Sequence, residues 1–190
     1  MTRAFAITIL AGLTAVPVFA ALKTGDTAPD FSAPASLAGK AFKYSLDDAL
    51  KKGPVVVYFY PSAYTGGCNI EAHTFSENAA QFAAAGATVI GVSGDSIERL
   101  NAFSADPEYC AGKLAVASDA SGTIARSYGL RVSDKVHGAT DTRGKEIDHG
   151  FTERTTFVVR RDGTIAATVG GVSPEANVAR ALELVRQLAR

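Results

Sequence analysis

The residues best suited to chemistry lie in one short run, Pro61-Ser62-Ala63-Tyr64-Thr65-Gly66-Gly67-Cys68. A cysteine reacts as its thiolate, so what matters is whether its surroundings hold the sulfur ionised. A first helical turn does so, because its N–H groups are unpaired and it carries the positive end of the peptide dipoles. Thr65 has the side chain of an N-cap, with an oxygen able to accept the third helical N–H, that of Cys68. Gly66 and Gly67 leave the backbone uncovered, so a small polar substrate can approach the amides. The competing expectation is an inert core cysteine, a common fate for this residue type. The threonine, the two glycines and the strand end before them weigh against it.

The elements that must position this run can be read on either side of it. Val55 to Tyr60 is six β-branched and aromatic residues stopped by Pro61, the pattern of a buried central strand. From Cys68 the apolar residues Ala72, Phe75, Ala79 and Phe82 recur at steps of four, three, four and three, predicting a helix with one inward stripe that ends at Gly86. Before the strand, Leu22 to Ser36 holds Pro29 and Pro34 and reads as an extended arm, and Phe42 to Leu50 reads as a short edge element. After the helix come a second buried strand, Ala87 to Val92, and a cap at Ser93-Gly94-Asp95. The cap opens a helix through Ile97, Leu100 and Phe103 that Pro107 stops. A short strand over Leu114–Val116 and a brief helix over Ala120–Tyr128 follow. Arg131 to Gly150 is polar and irregular, the expected surface excursion. Thr155–Val159 and Ile165–Val169 predict two strands joined by a turn at Arg160–Gly163, and Pro174–Arg190 an amphipathic helix. This order predicts an α/β, thioredoxin-like fold, a central mixed sheet with helices on both faces. Cys68 then falls at the C-terminal end of a strand, where ligands gather in such sheets.

Residues 1–20 read as a secretory signal peptide: a basic start at Arg3, an apolar run, and small residues before a cleavage point after Ala20. Residues 21–190 then form one domain, long enough for a real core. Loss of Arg3 leaves 18 basic residues against 19 acidic ones. That balance argues against nucleic-acid or acidic-membrane partners. The two cysteines, Cys68 and Cys110, cannot form a CxxC pair, and the three histidines are scattered, so no metal-ligand spacing emerges. In an exported chain, disulfides can persist.

Pro61-x-x-x-Thr65-x-x-Cys68 resembles the active-site signature of the peroxiredoxins. Further matches are Glu71, Gly91-Val92-Ser93, Ala117-Ser118-Asp119 and Glu153-Arg154-Thr155-Thr156-Phe157, and the nearest subgroup is the Q-type, or bacterioferritin-comigratory, thiol peroxidases. The resemblance covers roughly Ala28 to the C-terminus. It implies reduction of hydrogen peroxide and organic hydroperoxides without metal, haem or flavin. It also implies that Cys68 attacks the peroxide and becomes a sulfenic acid. Thr65 would offer its hydroxyl to sulfur and peroxide, Arg154 would hold the thiolate charged, and Pro61 would shield the site. Glu71, one turn after Cys68, is a candidate partner for that arginine.

The chain also departs from the Q-type pattern. Most Q-type members carry a second cysteine five residues after the first; that position is His73 here, expected at the surface. Gly66 stands where proline is frequent. The resemblance then passes the resolving role to Cys110, in the region where some members place that cysteine, through local unwinding of the first turn after Cys68 and of residues 106–113. A static Cys68–Cys110 disulfide is the structural alternative. An exported enzyme would need a thioredoxin-like protein or a small thiol as reductant, with no membrane contact after cleavage, and would be a monomer or weak homodimer in the periplasm or outside the cell. Two rival functions remain: a thiol–disulfide exchange protein of the same fold, and a redox-responsive binding protein.

Overall fold

The structure, a computed structural model, describes residues 20–189; the signal-peptide expectation therefore lies, but for Ala20, outside the described residues. The strand expected at the centre is there. Its five residues, β3 (Val55–Phe59), are all buried, and it pairs in parallel with β4 (Thr88–Ser93) and antiparallel with β8 (Thr155–Val159). Alternation along β3 divides its side chains between two cores. Val56, Tyr58 and Tyr60 face helices α2 (Gly66–Ala84), α3 (Ile97–Ala105) and α5 (Pro174–Leu188). Val55, Val57 and Phe59 face the opposite core, which includes residues of α1 (Leu46–Leu50) and α4 (Thr123–Ser127). A strand apolar on both faces needs a layer on each side, which is why the run shows no polar alternation.

The sheet order is β2-β1-β5-β4-β3-β8-β9, with β1 (Ser32–Leu37), β2 (Lys40–Ser45), β5 (Ala115–Ser118) and β9 (Ile165–Gly170) completing it. The thioredoxin-like layout of a mixed sheet with helices on both faces is thus present. Four expectations need correction, the last of them the Arg131–Gly150 excursion. The N-terminal arm is extended, but part of it is β1, hydrogen-bonded to β5 inside the sheet. The edge element splits into β2 and the short helix α1, which Ser45 caps through its hydroxyl and the Asp48 amide. The cap of α3 is Ser96, whose hydroxyl accepts from the Arg99 amide, and Asp95 is buried instead.

Arg131–Gly150 is more than a surface excursion. It contains β6 (Val132–Lys135), which pairs with β7 (Gly150–Thr152), and it buries Asp141 and Ile147. At its middle the Thr142 backbone N–H and side-chain hydroxyl both donate to the Tyr64 carbonyl, each at 2.9 Å. The excursion therefore closes over the Pro61–Cys68 run.

Close approach also accounts for one glycine of the sheet. A Cβ on Gly91 would lie 2.6 Å from the Tyr58 ring, which crosses β4 at that point. The Tyr58 ring stacks on Phe75 at 4.5 Å and on Tyr60 at 5.3 Å, tying β3 to the inward stripe of α2.

Candidate active site

Helix α2 begins where expected. Thr65 is its N-cap in extended conformation, its carbonyl accepts the first helical bond from the Asn69 amide at 2.8 Å, and Cys68 is the third residue. The threonine side chain does not cap, however. Its hydroxyl turns inward and donates to the Ser62 carbonyl at 2.8 Å, so it braces the turn between strand and helix. The first-turn amides are left without a side-chain partner from the cap.

Arg154 reaches Cys68 because of strand register. Phe59 pairs with Thr155, so the residue preceding β8 lies level with the point where β3 gives way to the Pro61 turn. Its guanidinium donates through Nη2 to the Cys68 sulfur at 3.2 Å and through Nη1 to Glu71 Oε2. Cys68 and Glu71 are three residues apart on one helix face, so a planar fork can span both. Gly67 makes room: a Cβ there would come within 3.2 Å of Arg154 Nη2. Of the two glycines, Gly67 thus admits the arginine, and Gly66 is the one with open space beside it.

The site is buried. Cys68 is 2% exposed and Glu71 is fully buried, with its second oxygen, Oε1, lacking a hydrogen-bond partner among the described residues. Burial raises the Cys68 thiol, against the pull of the Arg154 charge, the Ser62 backbone and the Thr65 hydroxyl. The expectation of a depressed thiol is therefore reversed in this closed state, because desolvation outweighs those contacts. Burial likewise lifts Glu71 to about 7, again against Arg154. Arg154 is thus shared between two acids, neither of which ionises easily.

Pro61 ends the strand and lines, with Arg154, an open cleft of about 690 Å³. The cleft wall includes Val132 and Phe151 as apolar surface and Arg126 and Arg131 as charge. Cys68 does not line this cleft; it meets it only through Arg154, whose guanidinium touches the sulfur. Cys110 is a buried free thiol, as is Cys68, and the two belong to the same hydrophobic cluster with Tyr58, Tyr60, Tyr64 and Phe103. Burial, with the Asp106 charge nearby, pushes the Cys110 thiol far up. His73 is exposed, as expected.

The profile of the AhpC/TSA family matches residues 24–168. The chain belongs to that family. A Mycobacterium tuberculosis protein named as a peroxiredoxin is 32% identical over 168 residues, spanning 88% of this chain and 98% of the relative. The chloroplastic peroxiredoxin Q of Sedum lineare is 28% identical over 172 residues, 90% of this chain and 82% of that one. Among solved structures, the peroxidoxin BcpB of M. tuberculosis superposes with a TM-score of 0.73 at 32% identity, covering 88% and 98% of the two chains. The bacterioferritin comigratory protein of Xanthomonas campestris, whose structural description concerns alkyl peroxide reduction, gives 0.65 at 25% identity, over 83% and 92%. This peroxiredoxin is a thiol peroxidase of the bacterioferritin-comigratory, Q-type group, acting on a peroxide with a thiol-based reductant.

A second cluster in this peroxiredoxin escaped the sequence reading. Asp95, fully buried, accepts hydrogen bonds from the Ala63 amide at 2.7 Å, the Ser62 hydroxyl at 2.9 Å and the Ser93 hydroxyl at 2.7 Å. His149 Nε2 lies 3.0 Å from the same carboxylate, and Arg99 Nε pairs with it at 2.9 Å, off hydrogen-bond geometry. Arg99 continues to the Ala63 carbonyl and to Asp141, and Arg143, also paired with Asp141, covers the Tyr64 ring. The hub therefore grips Ser62, Ala63 and Tyr64, the residues between Pro61 and Thr65. Both His149 ring nitrogens face acceptors, Asp95 and the Gly150 carbonyl at 2.8 Å, which requires the imidazolium. Burial works against that charge, but the Asp95 contact prevails and His149 is raised. The available signal was Ser93-x-Asp95 at the C-terminal end of β4, where sheet chemistry concentrates.

Proposed function

We propose that Cys68 is the peroxidatic residue and that Arg154, Thr65, Pro61 and Glu71 form its machinery. The observation that carries the reading is the Arg154 fork, held by Glu71 on one side and touching sulfur on the other. The thiolate attacks the distal oxygen of the hydroperoxide: the S–O bond forms and the O–O bond breaks. The electron pair leaves with the alkoxide, which takes up a proton to become an alcohol. Cys68 is oxidised to the sulfenic acid. Arg154 stabilises sulfur before the step and charge on the oxygens during it, and the Thr65 hydroxyl, which otherwise donates to the Ser62 carbonyl, turns its proton to the bound peroxide as a second donor. Pro61 keeps the turn rigid and water out. The cleft beside Pro61 and Arg154, apolar at Val132 and Phe151, suits the body of an organic hydroperoxide.

Cys110 then resolves the sulfenic acid. Its sulfur attacks that of Cys68, the S–O bond breaks, water leaves, and an intramolecular disulfide remains. Both thiols are buried within the fold, so the step requires local opening around the start of α2 and residues 106–113. Residues 1–20 direct export to the periplasm or beyond, where a thioredoxin-like protein or small thiol reduces the disulfide and the enzyme acts as a monomer or weak homodimer. One equivalent of hydrogen peroxide added to the reduced protein should yield a Cys68–Cys110 link by mass spectrometry. The Cys110→Ser protein should stop at the sulfenic acid or overoxidise. Normal turnover of that variant with a dithiol reductant would remove Cys110 from the mechanism, and undiminished peroxide consumption by Cys68→Ser would overturn the whole assignment.

A further inference from the structure

We infer that His73 is a positioning residue for the resolving step, a latch that sets how often the Cys110 segment opens. This deepens the reading of Cys110 as the resolving cysteine and rests on it. His73 lies on α2, five residues after Cys68, and its Nδ1 is 2.9 Å from the carbonyl oxygen of Glu108, two residues before Cys110. A carbonyl only accepts, so Nδ1 carries the proton and donates. Nε2 faces Glu77 at 3.3 Å, which fixes the ring from its other side.

The backbone hydrogen bonds of the rest of the segment are almost wholly internal, while the Cys110 side chain packs, fully buried, in the core cluster. The Tyr109 and Ala111 amides donate to the Asp106 carbonyl, the Lys113 amide to the Cys110 carbonyl, and the Glu108 amide to the Asp106 carboxylate. The Gly112 amide reaches only as far as Ser104, at the end of α3. Ala111 and Gly112 both have positive φ, at 50° and 68°, a tight reversal just after the cysteine. Beyond these local bonds, Tyr109 packs edge-on to Tyr64 at 5.6 Å and stacked on Phe103 at 5.5 Å. Among the described residues, the His73–Glu108 bond is the one hydrogen bond that ties this segment to α2, the helix that carries Cys68. It therefore joins the two stretches that must part before their sulfurs can meet.

A latch in this position has a chemical consequence. While it is closed, Cys110 is buried and its thiol is held protonated, so it is a poor nucleophile and the sulfenic acid persists. A second peroxide can then carry Cys68 to the sulfinic acid, peroxide supplying the oxygen and leaving as water or alcohol. When the latch opens, Cys110 gains water, ionises and attacks Cys68, releasing the sulfenic oxygen as water. The latch thus sets the partition between resolution and overoxidation without touching the first oxidation.

His73→Ala and His73→Asn separate these steps. Loss of one partly exposed hydrogen bond should raise the open population about 2- to 5-fold. In His73→Ala, disulfide formation followed by acid quench and mass spectrometry should speed by that factor. The sulfinic fraction at high hydrogen peroxide should fall correspondingly, with the rate of the first oxidation unchanged. Asparagine, whose amide can donate from nearly the same place, should recover most of the wild-type partition. Amide hydrogen exchange of Ala111, Gly112 and Lys113 in the reduced protein gives a readout independent of any disulfide, and it should quicken by a similar factor in His73→Ala. Unchanged exchange, or unchanged resolution with intact first oxidation, overturns the latch even if Cys110 resolves. Faster exchange with no Cys68–Cys110 link in the wild type instead overturns the resolving role, and the control of resolution falls with it.

Discussion

Replacing Arg154 by glutamine should raise the Cys68 thiol pKa by about one to three units. The size follows from the site's charges. Nη2 lies 3.2 Å from the sulfur. With charge centres roughly 4 Å apart and an effective dielectric near 20, the attraction is about 4 kcal/mol, or about three pKa units. Glu71, at roughly 7 Å through the guanidinium, opposes the thiolate by about 2.4 kcal/mol when ionised. Since Glu71 titrates at about 7, it subtracts fully only above neutrality. Without Arg154, Glu71 is left buried and unpaired and takes a proton, so that repulsion vanishes along with the attraction. The net rise is therefore about one unit if Glu71 was charged and about three if it was neutral. Thiolate absorbance near 240 nm against pH, in a Cys110→Ser background so that one thiol titrates, reads the shift directly. Peroxide consumption at neutral pH should fall at least as far as the thiolate fraction, and further because the leaving oxygen also loses a donor. Lysine should recover part of the pKa but little of the rate, since it cannot grip Glu71 and sulfur together. A shift below about half a unit would mean that Arg154 does not govern the sulfur's charge, and the reasoning would fail.

Four further outcomes follow from the same geometry. Glu71→Gln should lower the Cys68 pKa relative to wild type above neutrality, since Arg154 is no longer shared, and the same titration tests it. Glu71 is raised from 4.5 to about 7, so its protonated form stabilises the fold at low pH and that contribution is lost as pH rises through 7; Glu71→Gln should gain melting temperature over wild type at pH 8 and not at pH 4. Thr65→Val should cut kcat/KM by about 10²-fold while Thr65→Ser keeps most of it, as expected for loss of one donor at a developing charge. His149 is raised above 6.5 by Asp95, so its contribution is complete below that value and disappears as pH climbs through the folded pKa; His149→Gln should therefore cost about 1.5–3 kcal/mol near pH 6, read from denaturant unfolding, and less near pH 9.

The fold was largely legible because its signals are local. Six apolar residues before Pro61, the stripe from Cys68 to Phe82, and Gly86 at the helix end each report their own element, and β3 and α2 stand where those patterns put them. Hairpin β1–β2 was less legible. Ser32–Leu37 includes a proline and two serines, and it becomes a strand only because β5 and β2 pair with it. Asp95 misled for a related reason. A Ser-Gly-Asp before an amphipathic run has the composition of a cap, and nothing local reveals that Ser62 and Ala63 from one distant segment and His149 from another arrive around it.

By itself the sequence determined the buried strand and the helix that Cys68 opens, because those patterns are local, and it offered Cys68 as a candidate nucleophile, with Arg154 as a partner implied by the family resemblance. Only tertiary structure decided how readily that thiol can ionise. Burial lifts the thiol, Arg154 is divided with Glu71, and Asp95 with His149 stiffens the turn from below. Desolvation and pairing depend on what surrounds an atom in three dimensions, and β3–β8 register brings together residues 86 positions apart that no local pattern joins.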